Sequence, residues 1–166
     1  MVITIRKYKK PEGPLGYDAA KDKALRLLAF RAHSEYELAD KLAHAGAPSE
    51  VIDEVMEFLR EYNLVDDRIY AERLARDLQN VKKFAKHRII AELSRKGISR
   101  EIAYEVTEEL DADEEEMLLP QMEKKLGGDF DRKSRDRAFR YFAARGYSFD
   151  DIKRAFDRIA SGEYDD

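Results

Sequence analysis

"AELSRKGISREIAYEV", residues 91–106, sets a glycine between two apolar patterns that each keep a helical period. Leu93 and Ile89 stand four and eight residues before Gly97; Ala103, Val106 and Leu110 stand six, nine and thirteen after it. Residues three and four apart share one face of a helix. The stretch therefore predicts a helix, a turn at a glycine that tolerates positive φ, and a second helix. The same frame recurs on both sides. Around Gly46 it places Leu42 and Leu38 upstream and Ile52, Val55 and Leu59 downstream. Around Gly146 it places Phe142 and Ala138, then Ile152, Ala155 and Ile159. The glycines lie 51 and 49 residues apart, a spacing that marks a repeat architecture.

Each copy is preceded by a further helical stretch: "DKALRLLAFRA" (22–32), "DDRIYAERLARDLQNV" (66–81) and "DEEEMLLPQMEKKL" (113–126). Ser99 and Ser148 stand where the helix after the glycine needs a side-chain cap, and Pro48 suits the first turn of the counterpart helix in the first copy. Ser34 with Glu37 forms a capping box. Asp66 or Asp67 caps the second early helix, the acids opening the third complement its dipole, and Pro120 interrupts or kinks it. The expected fold is all-α: three tandem three-helix repeats in an elongated, curved array. Its parts are a leader over 1–21, repeats over 22–65, 66–110 and 111–160, and a tail over 161–166. Within the leader, "VITIRKY" alternates like a strand and "KPEGPLG" reads as a hinge.

Composition narrows the function. Of the 166 residues 40% are charged and 43% hydrophobic, which is much surface for little interior and fits an array better than a compact enzyme. There is no cysteine, no signal-peptide core in the first twenty residues, and no apolar run of the length a membrane span needs. These point to a soluble protein of the cytoplasm with no membrane partner. The net charge of −4 hides segregation. Residues 68–100 hold ten Lys/Arg against three acids, while "TEELDADEEE" (107–116) is strongly acidic.

"LVDDRIYAERLARDL" followed by "RIIAELSRKGIS" resembles the RecX family, bacterial regulators of the recombinase RecA. The match rests on Leu64-Val65-Asp66-Asp67, Tyr70-Ala71, Arg88-Ile89, Glu92-Leu93 and Lys96-Gly97-Ile98. Upstream, "ALRLLAFRAHSEYELADKLAHAG" (24–46) resembles the family's opening repeat, with Leu27, Leu28, Ser34, Glu37, Leu38, Lys41, Leu42 and Gly46 in register. The resemblance covers about residues 24–159 and is thinnest in the third repeat. It implies a protein that binds RecA filaments, limits their growth and ATP-driven strand exchange, and serves DNA recombination, repair and the SOS response; a monomer without catalytic activity is expected. Some members of the family also bind DNA. Family members often carry glycine about four residues before the Arg-Ile pair, and Ala85 stands there instead.

The candidate contacts to RecA or DNA are basic. In the second repeat they are Arg73, Arg76, Lys82, Lys83, Lys86, Arg88, Arg95 and Lys96. In the third they are Arg132, Lys133, Arg135, Arg137 and Arg140, interleaved with Phe139, Tyr141 and Phe142. Clustered cations suit phosphates or an acidic protein surface. Arg88 and Arg95, seven apart on one helix, are expected to project away from its apolar side. The ordinary alternative is a solvated face, since Glu92 stands at ion-pair spacing from both. Aromatics among cations can stack bases, although Phe142 aligns with core leucines. His33, His44 and His87 share no ligand spacing, and "DADEEE" lacks the glycine and closing glutamate of a calcium loop, so no metal or other cofactor is expected. No phosphate loop, nucleophile elbow or metalloprotease motif appears in the sequence. Two readings stay open: a regulator laid along a nucleoprotein filament, and a direct DNA binder using helix-turn-helix-like units.

Overall fold

The computed structural model describes residues 13–110 and 113–162. The strand expected over 2–8 lies outside the described residues. Within them the chain is all-α, with no strand and nine helices: α1 (Tyr17–Phe30), α2 (Glu35–His44), α3 (Ser49–Glu61), α4 (Asp67–Asn80), α5 (Lys86–Arg95), α6 (Arg100–Glu108), α7 (Glu114–Leu126), α8 (Arg132–Ala143) and α9 (Phe149–Ser161). Gly46, Gly97 and Gly146 close α2, α5 and α8 with φ of 92°, 78° and 92°, the positive values the frame requires. The serine caps stand as read. Ser34 accepts from the Glu37 N–H within its capping box, Ser99 from Ile102 and Ser148 from Asp151. Pro48 occupies the cap position itself, one residue ahead of α3.

Two compact units divide the chain, Met1–Asp67 and Arg68–Asp166. In the first, α1, α2 and α3 pack mutually around Leu38, Leu42, Val55 and Leu59, all fully buried. The α3 residue Arg60 grips Glu35 of α2 at 2.5 Å, and Asp67 accepts from the Glu35 backbone N–H at 2.9 Å. Burial pushes the Asp67 carboxyl above the usual carboxylate range. α1 begins at Tyr17 rather than at 22, so residues 17–21 are helical and not leader. Gly16 lies extended ahead of the helix, and the alanine pair 19–20 propagates it, with Ala20 and Ala24 wholly inside the core.

The second unit holds two cores. One gathers Ala71, Ala75, Ile89, Leu93, Ile98, Ala103 and Val106 from α4, α5 and α6. Across it, Arg68 of α4 reaches Glu105 and Glu109 of α6, each at 2.6 Å. The other gathers Leu118, Leu119, Met122, Phe142, Ile152 and Ala155 from α7, α8 and α9, and Arg158 of α9 pairs with Glu115 of α7. Of the interruption or kink expected at Pro120, the interruption does not occur: α7 runs from Glu114 to Leu126 with the proline inside it. Leu118, Leu119 and Met122, all buried, fasten the helix on both sides of the proline, so tertiary packing outweighs the missing N–H.

A seam joins these two cores. Ala85, fully buried, belongs to the α7–α9 core although it precedes α5. Its N–H donates to the Arg145 carbonyl at 3.0 Å, and its φ of −72° is one that any residue adopts, so the turn needs no glycine here. Glu114 accepts from the Lys86 backbone N–H at 2.6 Å. The Tyr147 hydroxyl donates to the Lys83 carbonyl at 3.1 Å, and burial holds this phenol above its ordinary range and thus neutral.

Candidate anion-binding surface

Many of the described cations are paired with the protein's own acids. Arg88 and Arg95 both bind Glu92, at 2.7 Å and 3.2 Å. Arg76 lies 3.9 Å from Glu72, and Lys86 lies 3.7 Å from Glu108. Arg132 and Arg135 flank Asp136 at 3.9 Å and 3.8 Å, whereas Arg137 donates to the Ser134 hydroxyl at 3.2 Å and Arg140 to the Asp136 backbone carbonyl, neither of them to a carboxylate. Exposed pairs of this kind add little stability, but they leave little net charge for a partner.

Arg88 is also a seam residue rather than an outward-facing one. Its side chain is only 33% exposed, its Nε is buried without a partner, and its guanidinium lies 5.5 Å from the Phe84 ring centre. A Cβ built on Gly146 would stand 2.5 Å from the Arg88 Cβ, so the start of α5 closes directly on the α8–α9 turn. The helical period correctly placed Arg88 off the apolar side of its own helix. It carried no information about the turn arriving 58 residues later.

Other described cations form no ion pair. Lys82 and Lys83, exposed in the α4–α5 turn, have no carboxylate partner among the described residues, and neither do Lys124 and Lys125 at the end of α7 or Arg145 after α8. Two shallow clefts gather most of them. One of about 540 Å³ is lined by Lys83, Gln121 and Lys124; one of about 340 Å³ by Gln121, Lys124, Lys125 and Tyr141. Gln121 donates to the Tyr147 hydroxyl at 3.4 Å, tying this surface to the seam beneath. Lys125 Nζ lies 4.2 Å and the Arg145 guanidinium 3.6 Å from the Tyr141 ring centre, so this ring holds cations. Phe142 is core, as its frame position required. Asp113 and Glu116 line one end of the larger cleft; Asp113 is engaged in capping α7.

Of the thirteen candidates, Lys83 lines this surface, and Lys82 precedes it in the same turn. Arg73 and Lys133 have no carboxylate partner among the described residues, and Lys96 lies at the end of α5. Lys124, Lys125 and Arg145 went unread in the sequence. Lysines ending a helix are ordinary dipole partners, and nothing local separates such a pair from a binding pair. The arrangement can bind anions through mobile cations on a firm base. Among the described residues no cluster of His, Cys, Asp and Glu could hold a metal ion, and no helix is long and apolar enough to cross a membrane.

Two family models match the chain: RecX, first three-helix domain, over residues 20–59, and RecX, second three-helix domain, over 66–106. Regulatory protein RecX of Clostridioides difficile (strain 630) is 31% identical over 154 residues, covering 90% of this chain and 72% of the relative. Regulatory protein RecX of Vibrio cholerae serotype O1 (strain M66-2) is 33% identical over 153 residues, covering 90% of this chain and all of the relative. The crystal structure of RecX from Lactobacillus salivarius superposes with a TM-score of 0.73 at 24% identity, over 87% of this chain and 96% of that one. A second crystal structure, of regulatory protein RecX, gives 0.70 at 20% identity. At these identities the structural likeness speaks for the fold.

Proposed function

This chain belongs to the RecX family, and from that premise we propose that it is a regulator, without catalytic activity of its own, of the RecA recombinase in the cytoplasm. It binds the RecA–DNA filament as a single copy and restrains its ATPase and strand exchange. The observation that carries this reading is the gathering of Lys83, Lys124, Lys125 and Arg145, none of them ion-paired among the described residues, around Gln121 and Tyr141. A nucleoprotein filament presents phosphates and carboxylates, and fixed cations recruit it by exchanging bound counterions and steering approach. Restraint then needs no reacting group, since a protein seated on a filament obstructs subunit addition and rearrangement. Direct action on DNA is the second reading, supported by the same lysines, and it predicts a steep salt dependence with DNA alone.

The test is ATP hydrolysis by RecA on single-stranded DNA with this protein added. The wild type should lower the rate at concentrations well below that of RecA. The Lys124→Glu/Lys125→Glu variant should need about tenfold more protein, equivalent to about 1.4 kcal/mol of binding. A wild type without effect would refute the regulator. A variant as potent as wild type would move the site elsewhere.

A further inference from the structure

The third repeat carries something the other two lack. We propose that the groove between α8 and α9 is a docking site for an acidic segment of a partner protein that inserts one large apolar side chain. Four phenylalanine rings run in contact across this face. Phe130 lies 6.1 Å from Phe156, Phe156 6.1 Å from Phe139, and Phe139 5.3 Å from Phe149. The row ends in solvent, with Phe130 42% and Phe149 67% exposed, beside a groove of about 520 Å³.

The repeats supply an internal control. Three residues after the glycine stand Ser49, Arg100 and Phe149; seven before it, Ala39, Ile90 and Phe139; ten after it, Met56, Thr107 and Phe156. The same helix pair thus folds twice without the phenylalanines, so Phe149 is not there for the fold. Phe156 in the middle of the row is buried and Phe139 partly so, which leaves Phe149 as the ring the groove offers to a partner.

Charge selects the occupant. Arg135, Arg140 and Lys153 rim the groove with Asp136 and Asp157. Asp157 holds Lys153 at 2.5 Å, and Asp136 lies between Arg132 and Arg135. Arg140 reaches only a backbone carbonyl, which leaves a cation for an incoming carboxylate. Nucleic acid fits less well. The rings meet edge to face, at 62°, 66° and 74°, whereas stacked bases need open ring faces. An inserted leucine or phenylalanine with a flanking acid meets both Phe149 and Arg140.

This site is independent of the RecA reading, and its test uses the full chain alone. The probe is a fluorescein-labelled peptide, Asp-Glu-Asp-Leu-Phe-Asp-Glu-Asp, titrated by fluorescence anisotropy at low salt. Saturable binding is expected, weakened by about tenfold or more in Phe149→Ser and separately in Arg140→Glu, both exposed changes whose helicity and melting are checked alongside. A peptide with Ser-Ser in place of Leu-Phe should bind at least about tenfold more weakly. The proposal is overturned by absent or non-saturable binding, by equal binding of the Ser-Ser peptide, or by indifference to Phe149→Ser. It is overturned equally if sedimentation shows a dimer that Phe149→Ser dissociates, or if oligothymidylate occupies the groove in a Phe149-dependent way.

Discussion

Gly46 and Gly146 share a φ of 92°, a backbone state that alanine enters only with strain, but their surroundings differ. A Cβ on Gly46 would meet nothing within 4 Å, whereas one on Gly146 would meet the Arg88 Cβ at 2.5 Å and the Arg88 N at 2.7 Å. Gly46→Ala should therefore destabilise by about 1–2 kcal/mol, from conformation alone. Gly146→Ala adds overpacking of about 1–3 kcal/mol, because the obstructing atoms are backbone and Cβ rather than a flexible tip. Urea unfolding of both variants decides it, and equal losses would mean that the seam does not close on Gly146. The frame made the glycines look alike, as their torsions are. Their surroundings could not be read, because Arg88 approaches from another repeat.

At the scale of the element, the starts of α2, α5 and α8 solve one problem in three ways. Each helix leaves free N–H groups at its first turn. α2 uses its own Ser34 plus Asp67, which takes the Glu35 N–H. α5 follows Ala85, which has no side-chain acceptor, and Glu114 at the first position of α7 takes the Lys86 N–H instead. α8 has no such acid arriving from beyond: Asp131 takes its Ser134 N–H at 2.6 Å, while Asp129 accepts from the Ser134 hydroxyl at 2.9 Å. The Asp131 backbone N–H, donating to Asp129 at 3.1 Å, and the Ser134 hydroxyl together hold the Asp129 carboxyl below its usual range. Glu114→Ala should cost about 1 kcal/mol and speed exchange of the Lys86 amide, with Glu114→Gln restoring part of both. An unchanged exchange rate would mean that water serves this N–H equally well. Ser34 was legible because cap and helix adjoin in sequence. Glu114 was legible only as an acid favouring its own helix, since its second role lies across 28 residues.

The whole molecule is three small cores within two compact units. Leu42 and Phe142 occupy the same frame position and are each fully buried, in different units. Truncation to alanine should cost about 2–5 kcal/mol for Leu42 and about 3–5 for Phe142. Amide exchange should then accelerate mainly within 13–67 for Leu42→Ala and mainly within 68–162 for Phe142→Ala. A single global loosening from both would show that the units unfold as one. The all-α class, the glycine turns, most of the caps and the core positions follow from spacing along the chain, because the helical period and the capping geometry act over three or four residues. Which cations remain unpaired, which phenylalanines reach solvent and which glycine admits no methyl group depend on residues dozens of positions apart. Coulomb attraction and steric exclusion act through space, and only the packed helices set those distances.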